Sequence, residues 1–161
     1  MAIVFKPLNR SNFQAMLALK VHPHQVTFVA PPSKSIAICY TRAFGDDFDH
    51  VPHVIFDDQI AVGYVTIACN PSSSDDYWID DIMIDASHQG KGYGRIAIEM
   101  TIRLILTCYP QCETIQLTCF DGNDVAARIY ENLGFRKTGQ RNEDYDQPEY
   151  ALTAPALDRF R

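Results

Sequence analysis

Between Ile82 and Arg95 the chain runs from an apolar stretch through a short polar turn into three alternating glycines, Gly90, Gly92 and Gly94. Few backbones satisfy this pattern. A strand has to end near Asp85, reverse within a few residues and start a helix, with glycine supplying conformations that other residues rarely adopt. The helix expected over residues 92–108 is the clearest in the chain. Ala97, Met100, Leu104 and Cys108 share one face, flanked by Ile98, Ile102 and Ile105, and Pro110 stops the run. Arg95, Glu99 and Arg103 form a solvated stripe spaced by four, with Glu99 and Arg103 in the favourable order. Backbone N–H groups converging at such a turn, with the helix dipole behind them, suit a pyrophosphate. A tight strand-to-helix reversal alone also accounts for the glycines. The spacing is neither a P-loop, which needs G-x-x-x-x-G-K-S/T, nor a good dinucleotide fingerprint, which needs an acid about 20 residues further on.

The remaining pattern is α/β, a mixed sheet with helices. Residues 3–6 read as a strand, residues 12–19 as a helix ended before Pro23, and Ser33 as the N-cap of a second helix through about Ala43. A polar loop over 45–49 leads to two β-rich runs, residues 51–56 and 60–69, joined across Asp57-Asp58-Gln59 as an antiparallel hairpin. After the loop at 70–76, residues 77–85 read as the next strand. Residues 114–120 alternate Ile115, Leu117 and Cys119 on one face and form another. Asn123 can cap a short helix reaching Asn132, with Gly134 where a left-handed C-terminal cap is wanted. Residues 135–138 and 149–153 are the last strands expected.

Composition narrows the class. The 161 residues are 47% hydrophobic and 21% charged, enough for a sizeable core and one domain over residues 1–161, and unlike a disordered or coiled-coil chain. Lys and Arg total 14 against 20 Asp and Glu, a net charge of −6, which suits small cations and opposes a nucleic-acid partner. Five cysteines, an odd number without a C-x-x-C pair, read as reduced thiols in a cytoplasmic protein. His22 and His24 stand without further ligands, so no metal is expected. The N-terminal residues read as a strand, not a signal peptide, and no run approaches the length of a membrane span.

Gln89-Gly90-Lys91-Gly92-Tyr93-Gly94 matches Q/R-x-x-G-x-G/A, and the run Asn123 to Phe135 matches N-x-x-A-x-x-x-Y-x-x-x-G-F at each anchor. In these two blocks and the strands beside them, residues 77–138, the chain resembles the GNAT N-acetyltransferase superfamily. Tyr77-Trp78-Ile79-Asp80-Asp81-Ile82 and, more loosely, His24 to Val29 look most like the bacterial spermine/spermidine N-acetyltransferases within it. The resemblance implies the GNAT fold: a central twisted, mostly antiparallel sheet of six to seven strands flanked by about four helices. It also implies acetyl-CoA as cosubstrate and a small-molecule amine, most of all a polyamine, as acceptor. A protein N-terminus, a lysine or an aminoglycoside are the alternative acceptors, and a non-catalytic acyl-CoA-binding module is the alternative class. Dimers are frequent in such families, so a homodimer is compatible with it.

Carried onto this sequence, the resemblance makes Gly90, Lys91, Gly92, Tyr93, Gly94 and Arg95 the pyrophosphate site, with Gln89 bracing the turn. Ile82, Met83 and Ile84 would offer main-chain groups to the pantetheine arm, and an N–H there would face the thioester carbonyl oxygen. Asn123 would contact the coenzyme, although capping its helix explains it equally. Tyr130 would give a proton to the departing thiolate, where a bare tyrosine on a short helix is otherwise core. Asp80 matches the acid that serves as base; alternation places it on one face with Ile82 and turns Asp81 the other way. Thr118 stands where some members place a glutamate base, which favours Asp80. Aspartates at 46, 47, 49, 57, 58, 75 and 76 are further expected to gather at an acceptor cleft.

Overall fold

The computed structural model describes residues 2–42, 47–143 and 145–161. Seven strands form one sheet: β1 (Ile3–Pro7), β2 (Asp49–Asp57), β3 (Ile60–Cys69), β4 (Tyr77–Ile84), β5 (Ile115–Thr118), β6 (Arg136–Arg141) and β7 (Pro148–Leu152). Their order across the sheet is β1-β2-β3-β4-β5-β7-β6. Every neighbouring pair is antiparallel except β4 and β5, which run parallel and meet at the single register position Trp78–Gln116. The helices among the described residues are α1 (Phe13–Leu17), α2 (Pro32–Thr41), α3 (Tyr93–Cys108) and α4 (Asp124–Leu133). The mixed, mostly antiparallel sheet and the four helices agree with the architecture expected.

The sheet separates two cores. Ile98, Ile102 and Ile105 of α3 and Tyr130 and Leu133 of α4 pack with Ile79, Ile115 and Leu117. On the other core, Met16 of α1 and Leu19 meet Val54, Tyr64 and Met83, with Ile36 of α2 against them. Gly134 takes φ 105° at the C-cap of α4, as its position predicts. α2 begins two residues earlier than expected. Pro31 is its N-cap and Pro32 its first residue, a position where the missing N–H has no helical partner to lose. Ser33 is therefore inside the helix, and the expected end at Ala43 lies outside the described residues. β5 is four residues long where alternation predicts seven, since β7 pairs only with Ile115–Thr118. On α3 the ion pair is Arg95–Glu99 at 2.9 Å, while Arg103 donates to the Phe160 carbonyl.

β4 carries a bulge that reverses its alternation. Thr66 pairs with Asp81 and the next residue, Ile67, pairs with Ile79, leaving Asp80 as the extra residue. Tyr77 and Ile79 before the bulge, and Ile82 and Ile84 after it, therefore all pack into the α3 core. Met83 faces the α1–α2 core. The expectation that Asp80 shares a face with Ile82, opposite Asp81, is corrected by that inserted residue.

β3 and β4 are pressed together at Gly63, where a Cβ would lie inside contact distance of the Met83 carbonyl oxygen. Gly63→Ala must push the strands apart, and overpacking of this kind costs about 1–3 kcal/mol. Urea denaturation is expected to show a lower midpoint; an unchanged midpoint would mean that β4 yields freely there.

Candidate active site

Because β4 and β5 touch at one position, they part beyond Trp78, and the gap opens into a cavity of about 890 Å³. Ile82, Met83 and Ile84 line one wall, and Thr118, Cys119 and Phe120 the facing one. The turn before α3 closes one end. Gly90 and Gly92 adopt φ of 74° and 88°, so both positions favour glycine. Gly92 is the N-cap of α3 and has no side chain to cap it, so the first-turn N–H groups of α3 stay free of a side-chain acceptor. A Cβ built on Gly90 or Gly92 meets nothing within 4 Å, and both residues line the cavity. Open space, unpaired donors and a helix dipole together fit a phosphate-bearing ligand.

Neighbouring side chains hold this turn. Gln89 Nε2 donates to the Ile84 carbonyl at 2.9 Å and to Gln25 Oε1 at 2.9 Å, and Gln25 Nε2 returns a bond to Gln89 Oε1 at 3.0 Å. Asp85 accepts from the N–H groups of Ser87 and Lys20 at 3.0 Å each. Tyr93 is buried and its hydroxyl donates to Asp57. Gly94 and Arg95 line the cavity, Arg95 with its charge shared by Glu99. Lys91 does not line it: its ammonium donates to the Ser87 carbonyl at 2.9 Å.

Away from the turn the cavity carries two acids, the Lys34 cation and a largely apolar wall. The β4 bulge brings both Asp80 and Asp81 to the lining, below α2. Asp81 accepts a 2.6 Å hydrogen bond from Ser35 Oγ, and Ser35 lies 3.0 Å from the Tyr64 hydroxyl, which donates to the Ala30 carbonyl at 2.9 Å. Among the described residues no hydrogen bond reaches the Asp80 carboxylate. Burial, and secondly the charge of Asp81, push Asp80 up from 3.8 to about 7. Asp81 is also raised by burial, but Ser35 and the Lys34 charge pull against it. Val26, Phe28, Val29 and Phe48 supply apolar wall, with the Phe28 and Phe120 rings 6.3 Å apart.

The other aspartates do not gather here. Asp49 pairs with Arg42 at 3.1 Å, Asp57 holds Ala2 and Tyr93, and Asp75 accepts from Thr114. Asp47, Asp58 and Asp76 are outside the lining, and Asp46 is outside the described residues. The His22 and His24 rings stack, and no group of three metal-ligating side chains occurs among the described residues.

Tyr130 reaches the cavity from α4 and is 8% exposed, packed edge-on against Phe135 and Tyr150. Burial raises its pKa well above the ordinary tyrosine value, so the hydroxyl keeps its proton at neutral pH. Asn123 lines the cavity and caps α4, accepting from the Ala126 N–H at 3.4 Å. Thr118 also lines it. Cys119 does too, but burial pushes its thiol up to about 11 and its partners are the Phe120 and Asn123 carbonyls, so it is a poor nucleophile. Ser35 and Tyr64 carry no motif, and only their packing reveals them.

The cavity thus joins a glycine-built anion cradle to a pair of desolvated carboxylates. The acetyltransferase (GNAT) family model matches residues 14–135, and the chain belongs to that family. It is an acetyltransferase of the GNAT type. Two curated relatives are each 27% identical over 145 residues, covering 87% of this chain and 91% of theirs. They are the probable spermine N(1)-acetyltransferase of Bacillus subtilis subsp. natto (strain BEST195) and the spermine/spermidine N(1)-acetyltransferase of Bacillus subtilis (strain 168). The fold is shared with a spermidine N-acetyltransferase from Vibrio cholerae in complex with CoA and spermine, at TM-score 0.72 and 17% identity over 97% of this chain and 98% of that one. An aminoglycoside acetyltransferase in complex with coenzyme A gives TM-score 0.71 and 18% identity over 98% of both chains. No helix among the described residues is long and apolar enough to cross a membrane.

Asp80 makes stability depend on pH. Its folded value lies near 7, above the unfolded 3.8, so the folded state binds more protons between these limits and stability falls as pH rises through that window. Asp80→Asn removes this contribution. Melting temperatures are expected to favour the variant above pH 7 and to converge with wild type near pH 4. Equal slopes for the two proteins would show a solvated Asp80.

Proposed function

We propose that residues 1–161 act as one catalytic domain that transfers acetyl from acetyl-CoA to a primary amine, most of all a polyamine of the spermine/spermidine kind, by direct attack in a ternary complex. One observation carries this reading: a glycine-built anion cradle and a desolvated carboxylate, Asp80, open into the same cavity. Gly90, Gly92, Tyr93, Gly94 and Arg95 would hold the pyrophosphate, with Gln89 as brace. The main chain of Ile82, Met83 and Ile84 would run beside the pantetheine arm, and Asn123 would meet the coenzyme near α4. Lys91 would add only long-range charge. When bound, acetyl-CoA supplies the activated thioester.

The chain's own residues manage the protons. An ammonium acceptor cannot attack until it loses a proton, and a carboxylate titrating near neutrality is suited to take it and pass it to solvent. As the C–N bond forms and the C–S bond breaks, Tyr130 gives a proton to the sulfur and regains one from the nitrogen. One proton is released overall. With Cys119 protonated, no covalent enzyme intermediate is required. The polyamine acceptor is supported by the relatives' names and by the paired carboxylates of the bulge.

Thiol release from acetyl-CoA, measured across spermine, spermidine, a monoamine of similar length, lysine peptides and aminoglycosides, tests the acceptor. The polyamines are expected to lead, with an advantage that shrinks as salt shortens the Debye length to about 10 Å at 0.1 M. A far better peptide or aminoglycoside would remove the polyamine and leave acetyl transfer standing. Asp80→Asn is expected to lose most turnover at low pH and to recover partly at high pH. Tyr130→Phe should lose about 10²–10⁴ in rate with acetyl-CoA affinity little changed. Gly92→Val should abolish most of the melting-temperature increase that acetyl-CoA gives wild type by mass action; a folded variant with the full increase rules out the cradle.

A further inference from the structure

Two carboxylates side by side at one end of a cavity cannot share a function evenly, because ionising one opposes ionising the other. The bulge places Asp80 and Asp81 together, yet their surroundings differ. Asp81 is gripped by the Ser35 hydroxyl at 2.6 Å, and Ser35 is itself 1% exposed. Behind Ser35, at 3.0 Å, stands the Tyr64 hydroxyl on β3, fully buried. A serine hydroxyl has one proton, so when it donates to Asp81 its lone pairs face Tyr64, whose O–H can point to Ser35 or to the Ala30 carbonyl. Asp80 has no such donor among the described residues.

We propose that Ser35 is a positioning residue: its hydroxyl pins the negative charge of the pair on Asp81 and so leaves Asp80 as the carboxylate that takes the acceptor's proton. The proposal rests on the reading of Asp80 as base. The groups that face the pair from the packed elements are Lys34 and Cys39 on α2 and Tyr64 on β3. Lys34 favours an ionised Asp81. The Cys39 thiol, pushed up to about 11, and the Tyr64 phenol, pushed higher still, both remain neutral in the working range and cannot take over either role. The Ser35 hydrogen bond, with the smaller pull of Lys34 beside it, is therefore what distinguishes two chemically identical neighbours. A charge-assisted bond of this length is among the stronger ones available to a carboxylate.

Carbon-13 NMR of protein labelled at the aspartate carboxyl reads where the proton goes without any substrate, with signals assigned by Asp80→Asn and Asp81→Asn. In wild type, the step near pH 7 is expected to move the Asp80 signal while Asp81 stays ionised. In Ser35→Ala that step is expected to move both signals, as the proton spreads over the pair, and Ser35→Thr should restore the wild-type pattern. The rate profile at saturating acceptor then follows. At pH about 5.5, Ser35→Ala should retain a several-fold larger fraction of its plateau rate, and Asp81→Asn should move the acid limb down by about one unit or more. An Asp81 signal that moves with the upper step in wild type overturns the proposal, as does one that stays still through it in folded Ser35→Ala. Failure of Asp80→Asn to slow turnover would instead overturn Asp80 as base, so the two failures are separable.

Discussion

The site depends on how little β4 and β5 share. Parallel neighbours normally exchange hydrogen bonds along their length, but these two meet only where Trp78 faces Gln116. Beyond that position neither strand satisfies the other, and the backbone groups of Ile82 to Ile84 face a cavity. A full ladder would fill that space. The Asp80 bulge adds to the effect, because an inserted residue bends its strand and increases its twist. One extra residue thus helps to open the cavity and places two carboxylates on its wall.

The chain carries a net charge of −6, yet one end of the cavity suits an anion. The two coexist because the anion cradle uses backbone donors, not side-chain cations. Gly90 and Gly92 in the left-handed region shape the turn that lines the cavity, and the start of α3, without a side-chain cap, adds its dipole. Arg95 has its charge shared with Glu99, and Lys91 bonds the turn itself. At the other end, Asp80 and Asp81 meet with apolar residues around them, and desolvation makes a carboxylate of ordinary strength into a group that titrates near neutrality. The Gln25–Gln89 amide pair ties the segment before Val26 to the turn.

Local chemistry was readable from residue order. The glycine spacing before α3, the cap at Asn123, the left-handed Gly134 and the apolar face of α3 each depend on residues within a turn or two of one another. That is why the cradle and the α4 block were legible, and Asp80 with them as an acid on the strand before the turn. The bulge was not legible, because alternation assumes that each residue opposes one partner. Asp80 was consequently placed on the face of Ile82 and apart from Asp81, and the loop aspartates among the described residues were credited to a cleft whose lining they do not join.

The sequence by itself determined the strand–turn–helix reversal with its glycines, the residues that could hold a phosphate and the caps of α4. The reason is that backbone conformation and helix capping are decided over a few residues. Tertiary structure alone decided which acid is free and which is held. Ser35, Tyr64 and Asp81 come from three separate elements, and only the packing of α2 on the sheet makes them neighbours. Desolvation likewise belongs to no residue, since it arises from everything packed around the carboxylate once the chain has folded.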